Sequence, residues 1–104
     1  YNFNNPSPPA PPALQIVSPE VLTLNQAATI TWSGGRASND IIVTTLDPVT
    51  EQPTNTTIVS NSILVSGSVS FTPTVPGEIH VFIIQATDAN GDVYTAQTPG
   101  VVPT

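Results

Sequence analysis

The sequence predicts an all-β chain folded as an antiparallel sandwich of about seven to nine short strands. Three observations carry this expectation. Thr, Val and Ile dominate a series of short runs, and these are the residues whose branched side chains suit a pleated, half-buried surface. Turn-forming residues separate the runs at close intervals. Nowhere does an apolar period of about 3.6 residues persist long enough to build an amphipathic helix. At 104 residues with 38% hydrophobic positions, the chain fits one domain able to bury a core without staples.

The opening Tyr1–Ala13 holds five of the twelve prolines. Each proline removes a backbone donor and fixes φ, so this stretch is expected as an extended, polyproline-like arm, with the sandwich domain over residues 14–104. The strand-forming runs are then LQIVS (14–18), EVLTL (20–24), AATITWS (27–33), DIIVTTL (40–46), TTIVS (56–60), SILVS (62–66), SVSFT (68–72), EIHVFIIQAT (78–87) and DVYTAQ (92–97). In the third run Ala28, Ile30 and Trp32 alternate with Thr29, Thr31 and Ser33, which makes one face apolar and Trp32 the core anchor. The run 78–87 is apolar on both faces. His80, Phe82, Ile84 and Ala86 share one side, Ile79, Val81 and Ile83 the other, so this is a central strand whose second face something must cover. The proline-rich arm, a loop, the opposing sheet or a second chain could do so.

Composition narrows the partners. Arg36 is the only Lys or Arg against seven carboxylates, a formal net charge of −6, so the chain cannot replace the counterions of a nucleic-acid backbone. No apolar run approaches the roughly 20 residues needed to cross a bilayer as a helix. There is no Cys, which removes disulfides and thiolate metal sites. A start at Tyr1 rather than Met predicts that a secretory signal peptide has been removed, and polarity supplied by Ser and Thr rather than by charge suits a cell surface.

Chemistry needs converging groups, and the inventory is thin. With one His and no Cys or Lys, Cys–His pairs, Schiff bases and multi-His metal sites are ruled out. His80, inside the most hydrophobic run, reads as a packed side chain with one hydrogen bond rather than a general base. Asp40, Asp47, Glu51, Glu78, Asp88 and Asp92 could in principle supply a carboxylate pair for glycoside hydrolysis, but at strand ends and in loops they read as solvated, turn-capping charges. ATDANGDV (86–93) raises the question of a calcium loop. Counted from Asp88, glycine falls at position 4 and position 12 is Pro99, so the spacing fails, and Asn90-Gly91 reads as a type I′ hairpin turn. Gly34-Gly35 matches no phosphate loop because no helix follows. The expectation is therefore no catalytic residue, no metal and no cofactor. Asn55-Thr56-Thr57 is the only glycosylation sequon, and the polar segment around it predicts an exposed loop.

The order of motifs resembles a known family. Ser18-Pro19 after the first strand, Ile30-Thr31-Trp32 in the strand that carries the tryptophan, and Val75-Pro76 before the long strand are similar to the amino-terminal Ig-like domain of the fungal Kre9/Knh1 family of secreted, GPI-anchored, Ser/Thr-rich wall proteins. The likeness spans about residues 14–102, with His80 standing where the family usually has an aromatic. Fibronectin type III domains share much of the same strand grammar. The resemblance implies an Ig-like or fibronectin III-like sandwich in a secreted, extracellular or cell-wall protein associated with β-glucan assembly, and it carries no catalytic residues to transfer. Two functions follow as expectations: a non-catalytic wall or matrix module that binds polysaccharide or another wall protein, and a self-associating secreted interaction protein of the effector or immunomodulator kind, dimerising through Ile79, Val81 and Ile83. A carboxylate hydrolase ranks third. Against glycan binding stands a shortage of exposed aromatics, with Tyr94, Tyr1 and Phe3 the only ones outside the expected core.

Overall fold

The computed structural model describes residues 13–104; apart from Ala13, the proline-rich arm expected over 1–13 lies outside the described residues. Seven strands form, β1 (Gln15–Val17), β2 (Ala28–Ser33), β3 (Ser38–Leu46), β4 (Pro53–Ser62), β5 (Gly67–Phe71), β6 (Ile79–Thr87) and β7 (Val93–Gln97). They make two antiparallel sheets, β1-β2-β5 and β4-β3-β6-β7, which pack face to face as a β-sandwich.

Alternation decides what each strand buries. In β2 Ile30 and Trp32 point inward while Thr29, Thr31 and Ser33 are exposed. In β3 Asn39, Ile41, Val43 and Thr45 are buried, and in β6 His80, Phe82, Ile84 and Ala86 are. Trp32, Ile30 and Ile16 from the first sheet join Ile41, Val43, Phe82 and Ile84 from the second in one cluster, so the tryptophan is the core anchor that its strand pattern predicts.

Two expected strands do not form. EVLTL is a loop whose backbone bonds singly to distant segments: Leu24 N donates to Thr104 O at 3.1 Å, Asn25 N to Pro73 O at 2.8 Å and Thr104 N to Leu22 O at 2.9 Å. Leu22 is still buried while Val21 is exposed, so the apolar pattern marked a core contact rather than a ladder. SILVS beyond Ser62 is likewise a loop, and TTIVS is the middle of the longer strand β4. Its register against β3 slips between Ile41 and Ile42 and between Thr45 and Leu46, bulges that let β4 continue to Pro53, beyond the run that its side chains marked.

The turns are built by aspartates. Asp88 Oδ1 accepts from the amides of Asn90 and Asp92, both at 2.9 Å, while Gly91 N donates to Asp88 O and Asp88 N to Asp92 O. Gly91 has φ 88° and Asn90 does not have a positive φ. The hairpin expected at Asn90-Gly91 is present, but as a three-residue loop closed by Asp88 and Asp92 with glycine in the left-handed position, not as the type I′ pair. The β3–β4 turn repeats the device. Asp47 Oδ1 accepts from Val49 N at 2.8 Å and Thr50 N at 3.0 Å, and the amide of Thr50 foremost, then that of Val49, holds this carboxyl below its ordinary range. A carboxylate depressed in the fold contributes stability above about pH 4 that is lost as pH falls through the folded value. Asp47→Asn keeps the oxygen and removes the charge, so the stability advantage of the native chain over it should shrink on acidification from about pH 4 to about pH 2. Melting temperatures across that range check this; a constant difference would show that the turn amides do not depress Asp47.

Candidate functional site

Two surfaces stand out, one on each face of the four-stranded sheet. The outer face carries Ile79, Val81 and Ile83, all half-buried. Register places neighbours beside them: Ile83 lies across from Ile42, which lies across from Ile58; Val81 across from Thr44 and then Thr56; Ile79 across from Leu46 and then Pro53. Thr44 and Thr56 join hydroxyls at 3.3 Å. The nine side chains are uncharged, and six are aliphatic chains of Ile, Leu or Val. Ile58, at the edge, is 62% exposed. Part of the cover over Ile79 comes from the chain itself, because the backbone at Gly100 lies against its Cγ2 where Val101 pairs with His80.

The second surface is a cleft of about 140 Å³ that opens between the β4 edge of one sheet and the β5 edge of the other. Val43, Phe71 and His80 line it, with Thr45, Asn55 and Thr57 along the β4 side. His80 is 1% exposed, and its Nδ1 lies 2.9 Å from Glu78 O, the single hydrogen bond expected for a packed histidine. A carbonyl only accepts, so Nδ1 carries the hydrogen and neutral imidazole has its free lone pair on Nε2. The Phe71 ring stands 6.1 Å from the His80 ring, centroid to centroid.

Asn55 sits in β4, not in the loop its polar context predicted; the turn is Asp47 to Gln52, and β4 starts at Pro53. It remains exposed because β4 is an edge strand. Its Nδ2 lies 3.4 Å from Thr57 Oγ1, so period 2 puts both ends of the sequon on the cleft side.

The carboxylates are dispersed. Asp47 and Asp88 cap turns, Asp40 accepts from Asn61, and Glu78 accepts from Thr54 Oγ1. Among the described residues no group of three or more His, Cys, Asp or Glu is placed to hold a metal ion. Arg36 stacks over the Tyr94 ring at 4.6 Å and donates to Gly34 O, which occupies the one aromatic of this region that the sequence left free for a ligand. No protein-family model matches this chain, and no curated protein matches it.

Proposed function

We propose that this chain is a non-catalytic, secreted interaction module of the immunoglobulin-like kind, and that it associates with a second copy of itself through the outer face of the four-stranded sheet. The observation that carries the reading is the uncharged block from Ile58 through Ile42 to Ile83 and from Leu46 to Ile79, with Val81 between. On a chain of net charge −6, a neutral patch is where two acidic copies can meet without opposing like charges, and a two-fold axis makes one patch complementary to itself. The local bonds held by Asp40, Asp47, Glu78 and Asp88 support the non-catalytic part. The extracellular, wall-associated part rests on the Ser/Thr-rich, low-charge composition and on the motif resemblance.

Three strands about 4.8 Å apart, each contributing some five residues at about 3.3 Å, give the block a footprint on the order of 240 Å². That is below the roughly 800 Å² per partner of a standard stable interface, so the dimer should be weak. Light scattering from about 10 μM to about 1 mM should show a rise toward twice the monomer mass. Val81→Lys should abolish that rise and leave the melting temperature within about 4 °C, as a substitution outside the core does. A native chain that stays monomeric throughout, or a Val81→Lys variant that unfolds, would refute self-association through this face.

A further inference from the structure

We infer that the cleft between the β4 and β5 edges is a seat for one neutral pyranose ring. The first ground is an unmet hydrogen-bonding group. Nδ1 of His80 is committed to Glu78 O, while Nε2 has no partner among the described residues. No fully buried side-chain nitrogen or oxygen among them lacks a partner, so Nε2 is open to the cleft that His80 lines. On a side chain only 1% exposed, this acceptor can take a donor only from what enters the cleft, water when it is empty or a ligand hydroxyl in its place.

The rest of the lining selects the donor. Phe71, Val43 and Val75 offer apolar surface, Thr57, Thr72 and Thr74 offer hydroxyls, and no Lys, Arg, Asp or Glu lines the cleft. An anion would find no permanent cation there, and a cation no carboxylate. A purely apolar molecule would leave the hydroxyls and Nε2 without partners. A pyranose answers both demands, with a C–H face for Phe71 and a hydroxyl rim, one of whose O–H groups donates to Nε2. At about 140 Å³, against the ~150 Å³ cavity that accepts a benzene ring, the cleft has room for one ring rather than a longer glycan. Two sources share this chemistry: the end of a free neutral glycan, and a sugar attached to Asn55, whose side chain belongs to the same lining. The seat lies on the inner face of the sheet, independent of the self-association proposed above.

The test is a titration of the unglycosylated, isotopically labelled chain with glucose, mannose and N-acetylglucosamine, followed by amide shifts. Expected are saturable shifts at His80, Phe71 and Thr57 for at least one sugar, with a dissociation constant on the order of millimolar, as suits a ligand of about a dozen heavy atoms. His80→Phe, which removes the acceptor and keeps an aromatic, should weaken binding about tenfold. If that variant does not fold, Thr57→Val on the exposed edge serves instead and should weaken binding severalfold. Val81→Lys should bind as the native chain does, which separates failure here from failure of the dimer. In protein carrying a single N-acetylglucosamine on Asn55, contacts from the sugar to the Phe71 ring with loss of the free-sugar response assign the seat to the attached sugar, and a retained response assigns it to free glycan. The absence of a saturable shift with any of the three sugars up to about 100 mM, shifts centred away from the cleft, or shifts unchanged in both variants would show a cleft filled by water only and overturn the inference.

Discussion

Trp32→Ala should cost about 3 to 5 kcal/mol, the range for deleting a large aromatic from a core that cannot close over the space. The side chain is 6% exposed and packs in the cluster that joins the two sheets, so its removal opens a cavity between them. Its neighbourhood leaves little room to relax. Gly67 lies directly across β2 from it, and a Cβ there would come within 2.7 Å of Trp32 Cζ2, so the indole rests on bare backbone. The indole N–H donates to Leu64 O at 3.3 Å, which ties the β4–β5 loop to the core. Against a typical total of about 5 to 15 kcal/mol, the loss should lower the melting temperature by roughly 20 °C. Chemical denaturation of both proteins checks the figure, and a difference below about 1 kcal/mol would mean that the indole is not the anchor. As the only tryptophan, it also reports on itself: native emission should be blue and poorly quenched by acrylamide.

Asn39→Ala should be nearly as damaging, by about 3 kcal/mol, for a different reason. Asn39 has no exposed surface, and its amide works in every direction. Oδ1 accepts from Arg36 N at 2.7 Å, and Nδ2 donates toward the carbonyls of Arg36, Ser62 and Leu64 at 3.0 to 3.1 Å. Truncation strands one amide and two carbonyls, since Leu64 O keeps the indole, and each such group costs about 1 to 3 kcal/mol, offset in part where water reaches it. Gly35 belongs to the same node. A Cβ on it would meet the Asn39 amide at 2.7 Å, which gives the Gly34-Gly35 pair a packing role. A double-mutant cycle with Trp32→Phe tests the arrangement, because both side chains bond the same carbonyl. The second substitution should cost more in the Asn39→Ala background, where Leu64 O has no other donor. Strict additivity would argue that the carbonyl finds water instead.

This node explains why the SILVS run misled. Ile63, Leu64 and Val65 have β-prone side chains, and all three are more than half exposed. The carbonyl of Leu64 accepts from Asn39 and Trp32 and that of Val65 from Gly35, so side chains and a loop amide, not a strand partner, meet these carbonyls. No local pattern could reveal it, because the partners lie 25 and 32 residues away. The cleft was hidden for the same reason. The residues that line it come from four strands and a loop, and the free nitrogen of His80 exists only because Glu78 O, two residues back, takes the other one. The outer face was half legible. Alternation set Ile79, Val81 and Ile83 on one side of their strand, while Ile42, Leu46 and Ile58 became their neighbours only through register.

The sequence by itself determined the all-β class, the inward face of β2, the burial of Trp32, the central place of the strand with two apolar faces, and the hairpin at Asn90-Gly91. These depend on period-2 alternation and on residue types that act over a few neighbouring positions. Tertiary structure alone decided that EVLTL is a loop, that β4 is one bulged strand with Asn55 on its edge, which aliphatic chains share the outer face, and that His80 looks into a cleft. Those outcomes depend on which distant backbone and side-chain groups satisfy each donor and acceptor, and hydrogen-bond demand is local while its supply is not.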